Sequence, residues 1–174
     1  GASSCPHEEK TVPRDEVAIS AAEVVAVNVP ENDAAVFHFT LGNISQTNET
    51  RAYVLFSAAE SNPLGAVVKA NGTNLASPIG YQLPFGEGQE VTVTVERGPG
   101  GDFDYDSLEI GLYVECEDDR ATALGLGTET IEQGRFYKAI FISAHFVKPC
   151  SSVDLSSPLA GWVQTVASGP NRNI

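Results

Sequence analysis

The stretch Glu90-Val91-Thr92-Val93-Thr94-Val95-Glu96 alternates apolar and polar residues over its whole length. Successive side chains of a β-strand point to opposite faces, so the three valines share one face and the two threonines share the other. The same alternation occurs in Val36-Phe37-His38-Phe39-Thr40-Leu41, where the two phenylalanines and the leucine point one way. A period of two predicts half-buried β-strands in both stretches.

Similar runs recur along the chain, separated by turn signals such as Asn62-Pro63, Asn71-Gly72 and Arg97-Gly98-Pro99-Gly100-Gly101. Asn71-Gly72 has the residue types that adopt the positive φ angles of a tight hairpin turn. The strands predicted from these runs are residues 16–28, 34–42, 51–57, 65–70, 89–96, 108–116 and 136–148. No helix of ten or more residues is predicted. Short strands with frequent turns predict an all-β fold, a two-sheet antiparallel sandwich of about seven strands.

The length of 174 residues suits one domain with a sizeable core. We predict an N-terminal arm over residues 1–14, the sandwich over residues 15–150, and a tail or the start of a following module over residues 151–174. The first residues lack the basic and apolar regions of a signal peptide, so we expect a processed end or a cloning remnant there.

The charge balance is strongly acidic, since 10 Lys and Arg stand against 23 Asp and Glu, for a net charge of −13. Such a surface repels phosphate backbones and anionic lipids, which argues against nucleic-acid binding. No apolar run reaches the length of a membrane-spanning helix, so membrane insertion is not expected.

Enzyme motifs are missing from the sequence. There is no Gly-x-Ser-x-Gly elbow and no Gly-x-Gly-x-x-Gly loop, and the histidines at positions 7, 38 and 145 define no Ser-His-Asp set. The flanking alternation predicts that His38 is exposed. We therefore predict a protein that is not an enzyme, with no catalytic residues and no required cofactor.

Three segments together resemble Ig-like and fibronectin-III-like repeats of large extracellular surface proteins. They are Phe37-His38-Phe39-Thr40-Leu41-Gly42-Asn43, Tyr53-Val54-Leu55 and Pro84-Phe85-Gly86-Glu87-Gly88-Gln89-Glu90-Val91-Thr92-Val93. The resemblance covers about residues 15 to 150. It implies an Ig-like sandwich used for structure, adhesion or assembly, with other protein modules or copies of itself as partners.

Three N-x-[ST] triplets begin at Asn43, Asn48 and Asn71, each in a polar stretch where an attached glycan would reach solvent. Together with the acidity, they favour an extracellular or cell-surface glycoprotein. The alternative is a cytosolic protein whose three cysteines are unpaired.

The cysteines stand at positions 5, 116 and 150, outside any metal-binding spacing. In a sandwich of seven passes the first strand begins, and the sixth strand ends, at the same end of the molecule. Cys5 precedes the first strand and Cys116 closes the sixth, whereas Cys150 follows the seventh and belongs at the opposite end. Because a disulfide needs Cα atoms within about 7 Å, we predict a Cys5–Cys116 bond. Cys150 is then an unpaired or intermolecular thiol.

Three further hypotheses remain open. Asp102, Asp104 and Asp106 have the spacing of a calcium-binding loop, or they form a solvated acidic loop over which Phe103 or Tyr105 packs. Aromatic residues in loop-like contexts could bind glycans by stacking, or they seal the ends of the core; these are Tyr81, Tyr105 and Trp162. The chain could also be a self-assembling filament subunit, in which residues 153–162 are donated as a strand to a neighbour.

Overall fold

Two five-stranded sheets pack face to face in the computed structural model, which describes residues 15–45, 48–115, 134 and 136–150. The predicted all-β sandwich is confirmed. Within the described residues the strands are β1 Val17–Ala21, β2 Val25–Val29, β3 Ala35–Asn43, β4 Arg51–Ser57, β5 Val67–Ala70, β6 Thr73–Asn74, β7 Ile79–Leu83, β8 Gly88–Glu96, β9 Asp104–Val114 and β10 Tyr137–Phe146. One 3-10 turn, Ala59–Ser61, follows β4. No helix of the described residues has the length and apolar character needed to cross a bilayer.

The strand order is that of an Ig-like domain. The first sheet runs β1-β3-β8-β5-β6 and the second runs β2-β10-β9-β4-β7. In the first sheet, β1, β3, β8 and β5 correspond to strands A, B, E and D of an Ig domain. In the second sheet, β4, β9 and β10 correspond to C, F and G. All named pairs are antiparallel except β2 with β10, which are parallel.

The described strands number ten, which corrects the predicted seven. The first predicted strand divides at Glu23, because its carboxylate accepts hydrogen bonds from the backbone N–H and the ring of His38. The chain leaves β3 at this point and continues as β2 in the other sheet. The other two strands, β6 and β7, lie between the fourth and fifth predicted strands.

The Asn71-Gly72 turn joins β5 to β6 as predicted. Both residues have positive φ angles, 48° and 85°, and Ala70 pairs with Thr73 across the turn. Two central residues with positive φ define a type I′ hairpin turn. The side-chain oxygen of Asn71 also accepts a hydrogen bond from the N–H of Thr92 at 2.9 Å, which joins the hairpin to β8.

The core forms between the two sheets from the alternating residues of the central strands. In β3 the inward residues Phe37, Phe39 and Leu41 are buried, and in β8 the three valines are buried. Their counterparts across the sandwich are buried residues of β4 and β9, among them Leu55, Ile110 and Leu112. Each buried side chain of this size contributes about 1.5–3 kcal/mol relative to exposure.

The two ends of the sandwich are distinguished by the β9–β10 hairpin. Tyr113 pairs with Tyr137 at one end, here called the Arg51 end, and Asp104 pairs with His145 at the other, here called the Asp104 end. Asp15 reaches Lys138 at 3.0 Å, which places the start of the described chain at the Arg51 end. Cys150 follows β10 and so belongs to the Asp104 end.

Glu115, which precedes Cys116, therefore lies at the Arg51 end, and Cys150 lies at the opposite end, as the strand count predicts. The two additional strands β6 and β7 do not alter this result, because an even number of extra passes preserves the parity. Cys5 and Cys116 themselves lie outside the described residues, as do residues 1–14 and 151–174. The Cys5–Cys116 disulfide stays a prediction.

Candidate protein-interaction surface

Exposed apolar side chains are concentrated in and beside β2. Val24, Val25 and Val27 are 43%, 54% and 60% exposed, and they are near neighbours in the chain. These three residues are called the valine edge below. A cluster of exposed apolar residues at one place is a feature of interaction sites, whereas scattered single residues are ordinary.

The backbone of the valine edge offers hydrogen-bonding groups to a further strand. The N–H of Ser143 donates to the carbonyl of Val24 at 2.9 Å, and Ser143 is in register with Val25. In a parallel pair this register turns the N–H and C=O of Val25 away from β10. Since β2 is the last strand of its sheet within the described residues, these groups point to a free edge. A free edge can accept an added strand.

The exposed apolar surface continues onto β10. Phe141 is 48% exposed and lies two residues before Ser143, so both side chains point to the outer face of the sheet. Val25 shares that face because it is in register with Ser143. Diagonal neighbours on one face of a sheet are about 7–8 Å apart, within reach of an aromatic side chain. Val25 and Phe141 therefore form one apolar strip.

Acidic residues stand at both ends of this strip. Residues 24–30 carry no charge, Glu23 precedes them, and Glu31 and Asp33 follow in the next turn. The side-chain hydrogen bond from His38 holds the pKa of Glu23 below its ordinary value, and so does the bond from the His38 backbone. The carboxylate of Glu23 therefore keeps its charge to a lower pH than an ordinary glutamate does. An occupant of the edge meets negative charge at each end.

The predicted calcium-binding residues are arranged differently from a metal site. Asp104 lies 2.8 Å from the ring of His145 and 3.0 Å from the Lys148 ammonium, and Asp106 lies 3.5 Å from His145. Both aspartates point out from β9. No group of three His, Cys, Asp or Glu side chains in the described residues could hold a metal ion. The geometry supports ion pairs across β9 and β10 and gives no support to calcium.

Asp102 belongs to a separate cluster. Its backbone carbonyl accepts hydrogen bonds from Arg97 Nε at 3.0 Å and from the Tyr105 hydroxyl at 2.8 Å. The guanidinium of Arg97 also lies 3.8 Å from the centre of the Phe103 ring, a cation–π contact. These contacts fix the glycine-rich loop between β8 and β9.

Low pH should weaken the fold through Asp104. The hydrogen bond from His145, and then the one from Lys148, holds the pKa of this carboxyl below its ordinary value. A carboxyl with a lowered folded-state pKa stabilises the protein above its unfolded-state pKa of about 4. That stabilisation is lost as the pH falls through the lowered value. As the pH is lowered from about 5 to about 2, the melting temperature of Asp104→Asn should fall less than that of the wild type. Asp33→Asn, a change in an exposed turn, is the control. An equal fall in melting temperature at low pH in all three proteins would show that Asp104 does not contribute to the acid sensitivity of the fold.

The three predicted glycosylation sites differ in accessibility. Asn48 and Asn71 are exposed. Asn43 is fully buried, and its amide nitrogen donates to the carbonyls of Glu49 at 2.7 Å and Leu83 at 2.8 Å. A glycan at Asn43 would replace one of the two amide N–H groups that make these bonds and would have no room in the core, so the expectation that this side chain reaches solvent is wrong for the folded protein. Glycosylation of Asn48 and Asn71 stays a prediction.

The remaining predicted site residues differ in how far they are exposed. Cys150 is exposed and forms no disulfide. Tyr105 is buried rather than exposed, because its hydroxyl bonds the Asp102 carbonyl and receives the Gly98 N–H at 2.8 Å. Tyr81 is half-buried against the core, and Trp162 lies outside the described residues. His38 is exposed as predicted, with 62% of its side chain accessible.

A buried ion pair at the Arg51 end was not foreseen from the sequence. The guanidinium of Arg51 bonds the carboxylate of Glu16, whose side chain is fully buried. The hydroxyl of Tyr53 donates to the Glu16 carbonyl at 2.7 Å, and burial raises the pKa of Tyr53 far above its ordinary value. The two charged residues are 35 positions apart, and no local pattern links them.

Comparisons with known proteins find similarity in fold alone. No protein-family model matches the chain, and no curated protein matches it. Among solved structures, the PapD-like domain 7 of human CEP192 is 15% identical with a TM-score of 0.41, over 82% of this chain and 92% of that chain.

Two other solved structures have similar scores. AggA, the major subunit of aggregative adherence fimbriae type I from Escherichia coli, is 13% identical with a TM-score of 0.39, over 80% of this chain and 100% of that one. The CARDB domain of PF1109 from Pyrococcus furiosus, solved with di-metal ions, is 10% identical with a TM-score of 0.37, over 80% and 99%. Likenesses this weak carry no inference about function.

Proposed function

We propose that the chain is a non-enzymatic, extracellular module that takes part in protein–protein assembly within a larger cell-surface glycoprotein. The observation that carries the proposal is the valine edge, an uncharged and exposed run on a free strand of an otherwise strongly acidic protein. A free edge of this kind tends to pair with other chains unless it is covered or protected. In assembly by strand addition, a strand from a partner pairs with this edge.

Two further observations support the same function. The Ig-like strand order is common in modules of cell-surface proteins, and the exposed triplets at Asn48 and Asn71 suit a secreted chain. Among the described residues, Asp104 and Asp106 are engaged in ion pairs with His145, and Tyr105 is buried. The valine edge is therefore the surface on which an assembly function would depend.

A selection from a random peptide display library tests this proposal. We expect the immobilised full chain to enrich extended peptides whose binding is lost in Val27→Lys and kept in Val36→Lys. Val36 is the matched control, because it is a valine with 45% exposure on the outer face of the other sheet. Enriched peptides that bind both variants equally, or no enriched peptides, would contradict an assembly role for this edge.

A further inference from the structure

We propose that the partner of the valine edge is an extended segment of another protein, apolar in its middle and carrying Lys or Arg at both ends, which pairs with β2 as an added strand. This inference rests on the proposed function and specifies its partner.

The backbone limits how such a segment can bind. The outward N–H and C=O of Val25 provide a pair of hydrogen bonds for a neighbouring strand, as in any sheet. Asn28 has a positive φ of 56°, and the pairing of β2 with β10 shifts register between Ala144 and Phe146. An irregularity of this kind ends regular pairing on an edge. The regular part of the edge therefore runs from Val25, where β2 begins, to Val27, and the added strand pairs with it over about three residues.

The side chains define the middle of the partner. Residues 24–27 are three valines and an alanine, and Val25 and Val27 stand on the outer surface, with Phe141 of β10 diagonal to Val25. β-Branched side chains on an adjacent strand pack well against such a row. A charged residue in the middle of the added strand would face this strip without a counter-charge. The centre of the partner is accordingly apolar or made of threonine and valine.

The acidic residues define the ends of the partner. Glu23 lies at one end of the strip, and Glu31 and Asp33 lie at the other. The whole chain carries −13, so the field around the edge also favours a cationic segment. Lys or Arg before and after the apolar centre would complement both ends in either strand direction.

The same charges disfavour the two other possible occupants. In an antiparallel pair of two β2 strands joined over the regular part of the edge, Glu23 of each copy would face the apolar end of the other strand, where it has no counter-charge. Residues 151–174 of the chain itself contain one Asp and one Arg, and so lack the paired basic ends. A basic-ended partner from another protein fits better than either.

The test uses three synthetic nine-residue peptides with the full chain. They are Lys-Lys-Val-Thr-Val-Thr-Val-Lys-Lys, the same peptide with Glu in place of every Lys, and the Lys peptide with Pro as its central residue. Fluorescence anisotropy measures their affinities. We expect the Lys peptide to bind at least about tenfold more tightly than either of the others. Raising the salt from about 0.05 M to about 0.5 M should weaken it several-fold, because exposed charges are screened.

Two variants of the protein locate the binding. Val27→Lys should lower the affinity of the Lys peptide about tenfold or more, whereas Val36→Lys should change it less than about twofold. Val25→Pro removes the outward N–H without removing a bond to β10, since prolines are tolerated on strand edges in this orientation. It should also lower the affinity about tenfold. If Val25→Pro fails to fold, a Lys peptide methylated on its central amide nitrogens tests the same hydrogen bonds.

Several results would overturn the partner assignment. Equal binding of the Glu peptide would refute the basic ends, and unchanged affinity in Val27→Lys would refute the location. Dimerisation that Val27→Lys abolishes would identify a second copy as the occupant. Tighter peptide binding after removal of residues 151–174 would identify the chain's own segment as the occupant. If the display selection still yields edge-dependent peptides without basic ends, assembly stands and only the partner chemistry is wrong.

Discussion

Replacing Arg51 with methionine should lower the free energy of unfolding by about 3–5 kcal/mol, because it removes one partner of a buried ion pair. The Glu16 side chain is fully buried and that of Arg51 is 9% exposed, so water cannot replace the guanidinium. Methionine keeps the length and much of the volume of the apolar part of arginine. The loss of stability is therefore electrostatic rather than a matter of packing.

Urea denaturation of Arg51→Met measures this effect. Lys69→Met is the matched control, since Lys69 pairs with Glu96 at 3.5 Å on the surface, and exposed pairs contribute less than about 1 kcal/mol. Adding Glu16→Gln to Arg51→Met should restore part of the loss, because the buried charge is removed together with the guanidinium. Equal effects of Arg51→Met and Lys69→Met would show that the buried pair does not stabilise the fold in the way described.

Replacing Gly98 with alanine should destabilise the protein by about 1–3 kcal/mol, the usual range for overpacking. A Cβ at this position would lie 2.2 Å from the carbonyl oxygen of Gly65 and 2.6 Å from its carbonyl carbon. Both atoms belong to the backbone, so the clash cannot be relieved by rotation of a side chain. The shift would also strain the hydrogen bond from the Gly98 N–H to the buried Tyr105 hydroxyl.

Gly100→Ala is the control for this prediction, because it lies in the same loop and its Cβ would meet only the Asp102 carboxylate, at 3.2 Å. That side chain can move away. Thermal melts of the two variants should differ by several degrees for a domain of this size. Similar melting temperatures would mean that the backbone segments around Gly98 and Gly65 can move apart without loss of stability.

The sequence predicted the sheets well because alternation is a local property. The period of two in β3 and β8 identified which residues face the core, and the Asn71-Gly72 pair identified a turn type. The division of the first strand at Glu23 could not be predicted, since it depends on a bond to His38, 15 residues away. A strand that changes sheets looks continuous in sequence.

The site was harder to predict for a related physical reason. Residues 24–27 are apolar on both strand faces, a pattern that usually indicates burial, and only the sheet order places them on an edge. Asn43 has the sequence of a glycosylation site, yet its side chain bonds carbonyls supplied by other segments. Spacing showed which aspartates are neighbours, but their pairing with His145 and Lys148 depends on the register of β9 with β10.

The parallel pairing of β2 with β10 has a mechanical consequence. Asp15 lies near one extremity of the sandwich and Cys150 lies at the other, so tension applied through these two positions stretches the domain along its strands. Such a pull drags β2 one way and β10 the opposite way, because the two strands run in the same direction. Their hydrogen bonds would then be loaded side by side in shear rather than opened one at a time. We therefore expect the domain to resist unfolding under a stretching force better than its thermal stability alone would suggest.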